Sequence, residues 1–226
     1  MSNRPFRFVH AADLHLEQPP GGVAEVPDHL QELFTQSAYW AAQRVFETAL
    51  AEEAQLVVLS GDVLDPTWTG PRGPLFLIEQ FRRLAERKIE VYWAGGAGDP
   101  PEVWPSLLRL PENVHVFRSG RPQQLLYQQD GQTLVRLIGA SRRRGRRLRA
   151  SDFRADPANV FSIAVVHGNA APGALRERGI DYWALGGRHS RSTPLSTPTI
   201  AHFPGTPQGR HPGETGPHGC TLVEVD

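Results

Sequence analysis

Along the 226-residue chain, short apolar runs alternate with longer stretches in which apolar positions return every three or four residues. Short runs read as buried strands, and the 3.6-residue repeat reads as helices with one face toward a core. Strands are predicted at Phe6–Ala11, Leu56–Leu59, Ile89–Ala94, Val114–Phe117, Leu134–Ile138, Phe161–Val166, Tyr182–Leu185, Thr199–Phe203 and Thr221–Val225. One helix is predicted over Leu30–Ala54 on a stripe through Leu33, Phe34, Trp40, Ala41, Val45 and Leu50. A second spans Leu75–Arg87 through Leu75, Ile78, Phe81, Leu84 and Ala85. This alternation is that of layered α/β structure, and the number of strands suits two facing sheets. Pro and Gly cluster at 18–22, 66–74, 95–101 and 204–219, which marks loops. With no internal repeat and no linker, a single domain over 1–226 is expected.

Composition narrows the class without naming a function. With 39% hydrophobic and 21% charged residues the chain falls among globular proteins. Its 24 basic and 24 acidic residues cancel, so no global field draws in a polyanion, and any nucleic-acid affinity must come from a local patch. Arg142, Arg143, Arg144, Arg146, Arg147 and Arg149 form the one such run. It reads two ways, as phosphate contacts or as a solvated loop, and a basic run alone does not decide between them. The lone Cys220 excludes an internal disulfide or a cysteine metal cage and fits a reducing compartment, hence the cytoplasm. The N-terminus lacks an apolar signal core, and no apolar stretch reaches membrane-spanning length, so no membrane association is expected.

The candidate chemistry sits where apolar strands end: Asp13 and His15, then Asp62, Asp99, His167 and His189. Singly, each has an ordinary reading, Asp62 as a turn residue after Gly61 and His167 as a hydrogen-bonded strand terminus. Jointly they form a carboxylate and imidazole set suited to Mn, Fe or Zn, in loops that converge at one end of an α/β sheet. In an extended Asp13-Leu14-His15, alternation would turn both side chains to the same side.

The motifs FVHAADLHLE, LVVLSGDVLD, VVHGN, IDYWALGGRHSR and FPGTPQGRHPGETGPHGCTLVEVD span nearly the whole chain. Their order is Asp-x-His, Gly-Asp, a Gly-rich turn with Asp, His-Gly and Gly-x-x-His. This resembles the calcineurin-like metallophosphoesterases, in particular their SbcD/YhaO-type DNA-repair exonuclease branch. The resemblance implies a four-layer α-β-β-α sandwich of two facing mixed sheets. It also implies a two-metal site, usually manganese, that hydrolyses phosphodiesters. By matching positions, Asp13, His15, Asp62 and His189 would form the first metal site, with Asp62 bridging to a second. The family's Gly-Asn-His-Asp motif reads Gly96-Ala97-Gly98-Asp99 here, and its Gly-His-x-His motif reads Gly186-Gly187-Arg188-His189. Ala97, Gly98 and Gly187 thus replace an asparagine ligand, the leaving-group histidine and a histidine ligand. His167 remains with Asp62 for the second position, so one ion is expected and the second is short of ligands.

No residue stands in the family's catalytic place, and Asp99 and Arg188 are left as candidate helpers. Asp99 would orient a neighbour. Arg188 would neutralise phosphate, although a guanidinium cannot acidify water, or would simply point outward. The expected function is a weak or inactive phosphodiesterase, a pseudoenzyme acting as a binding or assembly module. The alternatives are an active one-metal nuclease on DNA and a metal-free structural subunit of an ATPase complex. Family likeness further implies a coiled-coil ATPase partner, a homodimer and a C-terminal region that this chain lacks.

Overall fold

A computed structural model describes residues 4–65, 70–146, 148–156 and 160–226. Five strands make the first sheet: β1 (Phe6–Ala11), β2 (Leu56–Leu59), β3 (Glu90–Trp93), β4 (Val114–Val116) and β11 (Thr221–Val225), in the order β11-β1-β2-β3-β4. The second sheet has the order β5-β6-β7-β8-β10-β9. Its strands are β5 (Gln123–Gln129), β6 (Gln132–Ala140), β7 (Phe161–His167), β8 (Tyr182–Gly186), β9 (Ser192–Leu195) and β10 (Ile200–Phe203). In each sheet a parallel centre is flanked by antiparallel pairs, β1 with β11 in one and β5 with β6 and β9 with β10 in the other. Both sheets are therefore mixed.

The continuous apolar runs reflect strands buried on both faces. Period-two alternation sends Phe8, Val58 and Tyr92 toward Leu137, Val165 and Tyr182 of the other sheet, forming the central core. Phe8 is fully buried there and meets Tyr182 edge to face at 5.2 Å. Burying a side chain of that size contributes roughly 1.5–3 kcal/mol. The alternate positions Val9, Val57 and Val91 turn outward, under helices α1 (Gln31–Ala51) and α2 (Arg72–Glu86). On the far side, Ala164, Trp183 and Leu185 lie beneath Phe153 and Leu175. The layers are thus α-β-β-α, with the fourth reduced to α3 (Pro172–Arg176) and the 3-10 turn Ala150–Asp152.

Several expected details differ. The buried face of α1 is Ala38, Tyr39, Ala42, Val45, Phe46 and Ala49, whereas Leu33 and Trp40 are about half exposed, at 49% and 47%. The alanines at 38, 42 and 49 let the helix sit close on the sheet, which the larger residues had masked. On α2, Leu75 is 51% exposed and Leu77 takes its place in the core. The loop expected through Pro74 gives way to helix at Arg72, since proline is tolerated in a first turn; its stretch 66–69 lies outside the described residues. Strands β5 and β9 and helix α3 escaped the pattern: β5 is an edge strand rich in glutamine in which only Tyr127 is buried, and β9 carries Pro194, allowed at an edge.

Candidate metal centre

The six candidate residues leave the C-terminal ends of parallel strands: Asp13 and His15 after β1, Asp62 after β2, Asp99 after β3, His167 at the end of β7 and His189 after β8. Hydrogen bonds within the first sheet and one between the sheets fix these strand ends. The segment after β1 runs beside that after β2, with Asp13 N–H on Gly61 O at 2.9 Å and His15 N–H on Asp62 O at 2.9 Å. Between the sheets, the Ser60 hydroxyl donates to Ala184 O at 2.9 Å. Gly61 makes this approach feasible: at φ +87° a Cβ there would lie 2.7 Å from His167 Cβ and 2.8 Å from Gly96 backbone.

Asp13 and His15 are not extended. Their φ values are 55° and 45°, and that of Asp62 is 51°, so three candidate ligands occupy the left-handed region that non-glycine residues rarely enter. The two side chains converge through these left-handed turns rather than through strand alternation, and His15 Nε2 lies 3.9 Å from Asp13 Oδ1. Backbone held in this region costs of order 1–3 kcal/mol per residue and gathers at functional sites.

Among the described residues two groups can hold a cation: Asp13 with His15 and His189, and Asp13 with Asp62 and His167. Within each, the ligand atoms lie inside 4.8 Å of one another. Asp13 is the shared corner, where the sequence had suggested Asp62. Its carboxylate is buried and accepts the Gly187 N–H at 2.9 Å, and His167 Nε2 lies 3.3 Å from Oδ1. Asp62 faces His167 Nε2 at 3.2 Å and accepts the Gly98 N–H at 2.8 Å. Burial alone would raise the Asp62 carboxyl, but hydrogen bonding and charge from His167 outweigh it and hold the group well below the usual carboxylate range. For His167 burial opposes charge, yet its bonds to Asp13 and Asp62 push it up to about 9. A cation on this side would take over the countercharge that the proton otherwise supplies.

The donor set on the other side also has the spacing of a divalent ion's ligands. His15 Nε2 and His189 Nε2 stand 3.2 Å apart. Two nitrogens about 2.1 Å from one ion would be roughly 3.0 to 3.4 Å apart at right to tetrahedral angles. Burial first, then the charge of Arg210, lowers His15 to about 4, so its imidazole is neutral and free to coordinate. His189 donates Nδ1–H to Glu214 Oε1 at 2.5 Å, which leaves its Nε2 lone pair turned toward the ion position. Glu214 was not singled out from the sequence, although it sits in the terminal motif; its other oxygen accepts Arg210 N–H at 2.8 Å. Thr206 was missed as well, and its hydroxyl donates to Asp13 O at 2.7 Å.

The remaining candidates lie elsewhere. Asp99 is buried and accepts N–H groups from Asp62 at 2.8 Å, Val63 at 2.9 Å, Gly96 at 2.6 Å and the Trp93 indole at 3.1 Å. It shapes the loop behind Asp62 and is spent on that task. The Arg188 guanidinium turns to Ser192 at 3.1 Å and lies over the Phe203 ring, away from both triads. Ala97 is exposed, and Gly187 sits at φ +92° with an added Cβ 3.1 Å from His167 Nε2. In the arginine run, Arg142, Arg143, Arg144, Arg146 and Arg149 are exposed, Arg143 to Arg146 forming a tight turn around Gly145, and Arg147 lies outside the described residues. No helix among the described residues is long and apolar enough to cross a membrane.

Known proteins bear on this arrangement. No family model matches the chain. The uncharacterized metallophosphoesterase YhaO of Bacillus subtilis (strain 168) is 30% identical over 232 residues, covering 96% of this chain and 57% of that protein. The DNA double-strand break repair protein Mre11 of Aeropyrum pernix is 31% identical over 121 residues, covering 50% of this chain and 28% of that protein. The chain thus spans little more than half of the first relative's length and less of the second's. Among solved structures, TT1561 of Thermus thermophilus superposes with a TM-score of 0.53 over 90% of this chain and 91% of that one, at 10% identity, a likeness of fold. Two mixed sheets, two carboxylate and imidazole triads at their joined ends and the Bacillus relative matched along nearly the whole chain agree in supporting the calcineurin-like metallophosphoesterase superfamily, which the chain resembles in sequence and in fold.

Proposed function

We propose that the chain is a DNA-repair-type phosphoesterase domain with one well-furnished divalent-ion position and a depleted second one, so that its phosphodiesterase activity is weak or absent and its main role is that of a binding or assembly module. The observation that carries this reading is the asymmetry of the two triads. Asp13, His15 and His189 combine a buried carboxylate with two imidazoles, one fixed by Glu214. Around Asp62 and His167, the neighbouring positions 97, 98 and 187 offer an exposed alanine and two glycines, which bring no ligand side chain.

A divalent ion of the manganese type, once bound, polarises a phosphoryl oxygen and acidifies water. The chain's own contribution is positional. Asp13, His15 and His189 would hold the ion, Glu214 keeps His189 in the coordinating tautomer, and Gly98 N–H steadies Asp62. No imidazole stands at position 98 to meet the leaving group, which removes the proton-transfer contribution, typically 10²–10⁴-fold. The partial likeness to a repair protein supports DNA as the substrate class, and a coiled-coil ATPase as the partner belongs to the same reading.

Calorimetric titration with Mn²⁺ and hydrolysis of bis(p-nitrophenyl) phosphate test it, with Asp62→Asn alongside. Near one ion per chain and turnover at background are expected. Robust turnover that vanishes in Asp62→Asn, or two equivalent tight sites, would sink it.

A further inference from the structure

The two sheets leave four edge strands, and three of them are guarded. Strand β4 has only three residues, β9 carries Pro194, and β11 holds the exposed Glu224, paired with Arg7 at 2.7 Å. Short length, proline and charge are devices by which natural proteins keep an edge from pairing with another chain. The fourth edge, β5, has none of them. Its seven residues, Gln-Gln-Leu-Leu-Tyr-Gln-Gln, include no charge and no proline. The β5–β6 hairpin does contain a bulge, but its extra residue is Leu134 on β6, since Tyr127 faces Val135 and Gln128 faces Thr133. Along its free side β5 therefore offers an uninterrupted row of backbone donors and acceptors.

The side chains indicate what pairs with it. Leu125 and Tyr127 turn into the central core, whereas Gln124, Leu126 and Gln128 are exposed, Leu126 at 45%. The strand reads nearly alike in both directions. Laid antiparallel on a second copy with Leu126 opposite itself, Gln123 meets Gln129, Gln124 meets Gln128 and Leu125 meets Tyr127. Each amide then faces an amide, which both donates and accepts, and each apolar residue faces an apolar one. The ends match in charge. Arg121 stands just before the strand, exposed and, among the described residues, without an ion pair. Asp130 stands just after it, where Arg4 engages its Oδ2 at 2.6 Å and leaves Oδ1 available. In this register Arg121 of one copy comes beside Asp130 of the other. A strand from an unrelated protein would satisfy the backbone equally, but it would have no use for the two-way order of the side chains.

We infer that β5 is a self-recognition edge, through which two copies of the chain pair antiparallel about a twofold axis at Leu126 and join their six-stranded sheets into one. A twofold contact uses the same edge on both copies and closes, so it yields a dimer and no filament. The axis stands perpendicular to the sheet and reverses strand direction. The two metal centres, at the C-terminal ends of the parallel strands, therefore open at opposite ends of the joined sheet, away from the contact.

The test is sedimentation equilibrium of the full chain between roughly 1 and 200 µM, the range of a modest interface. Leu126→Lys and Leu126→Glu accompany the parent, each alone and as an equimolar mixture. The Leu126 side chain is on the exposed face, so either charge is carried without entering the core, and circular dichroism checks the fold. The parent should show a monomer–dimer equilibrium. Each variant alone should dimerise about tenfold more weakly or worse, because like charges then face each other across the axis. The mixture should regain at least the parent's affinity, since opposite charges now meet there, a recovery that misfolded variants could not give. A parent that stays monomeric at the highest concentration overturns the inference. So does a dimer that neither variant weakens, which would place the contact on another surface, and so does a mixture that associates no better than its components.

Discussion

His189 and Glu214 form one unit, the imidazole Nδ1–H on the carboxylate at 2.5 Å, and through it a loop near the end of the chain sets the direction of a ligand anchored on β8. Partners of this kind fix the tautomer and raise the basicity of the coordinating nitrogen, and their loss typically costs 10–100-fold in metal affinity. Glu214→Ala should therefore weaken Mn²⁺ binding by about that factor, with Glu214→Gln intermediate because it keeps an acceptor. Competition against a calibrated chelator reads both; equal affinities in parent and Glu214→Ala would show that the pair merely ties the loop.

The ion itself should depend on the triad more than on any other residue. Asp13→Ala or His15→Ala should remove the tight Mn²⁺ site altogether, whereas Arg188→Ala should leave it intact, because its guanidinium is engaged with Ser192 and Phe203. Atomic absorption on dialysed protein gives the stoichiometry. Retention of one tight ion in Asp13→Ala would place the ion on another set of ligands.

The arginine turn predicts how any DNA binding responds to salt. Arg143, Arg144 and Arg146 are exposed, and among the described residues none of them has an ion pair. If they meet phosphates, log affinity for single-stranded DNA falls with log salt by about 0.7 per contact. Reversal of the three to glutamate should flatten that slope and weaken binding with little dependence on sequence. Fluorescence anisotropy between low and high salt measures it, and an unchanged slope would mark the run as a solvated loop.

Acid should act through the core as well as at the centre. Tyr182 O–H donates to His10 Nδ1 at 3.0 Å, His10 Nε2–H to the Ser60 hydroxyl at 3.0 Å, and Ser60 in turn to Ala184 O, a chain that needs neutral imidazole. Burial first, then the charges of His202 and Arg191, hold His10 well below 6.5. Below that value the unfolded chain takes up a proton that the folded one refuses, so this contribution is complete above pH 6.5 and is lost as the pH falls. The slope is at most about 1.4 kcal/mol per pH unit for one proton. Urea denaturation at pH 7.5, 6.5 and 5.5 should show a steeper loss in the parent than in His10→Gln; parallel slopes would remove His10 from the account.

Strand ends were the legible part of this site, because a buried parallel strand is a continuous apolar run and whatever polar residue follows it must lie in a loop. Asp13, Asp62, His167 and His189 were found in that way, without any knowledge of pairing. The signs of helix orientation were weaker: large exposed residues such as Leu33 and Trp40 outweighed the alanines that α1 buries. Glu214 and Thr206 lay in a Pro- and Gly-rich stretch with no periodicity, so nothing local indicated that this loop folds back over β1. The left-handed backbone at Asp13, His15 and Asp62 was equally hidden, because it is imposed by the ladder between two distant segments rather than by the residues themselves.

The missing second-site groups can be returned, and the backbone says in which order. Ala97 is exposed and already carries a Cβ, so Ala97→Asn adds a ligand at little structural cost. Gly187 is harder: its φ of +92° disfavours any side chain, and a Cβ would press on His167 at 3.1 Å, so Gly187→His should lower stability by about 1–3 kcal/mol. That same closeness places the new imidazole beside His167, where a second ion needs it. Ala97→Asn with Gly187→His should therefore raise Mn²⁺ stoichiometry above one while lowering the melting temperature. Gly98→His added to that pair should then raise phosphodiester turnover, because ion binding and proton transfer are separable contributions. Calorimetry, thermal melting and bis(p-nitrophenyl) phosphate turnover across the parent, double and triple variants follow each step. A folded triple variant that binds two ions and stays inert would show that activity requires groups beyond positions 97, 98 and 187.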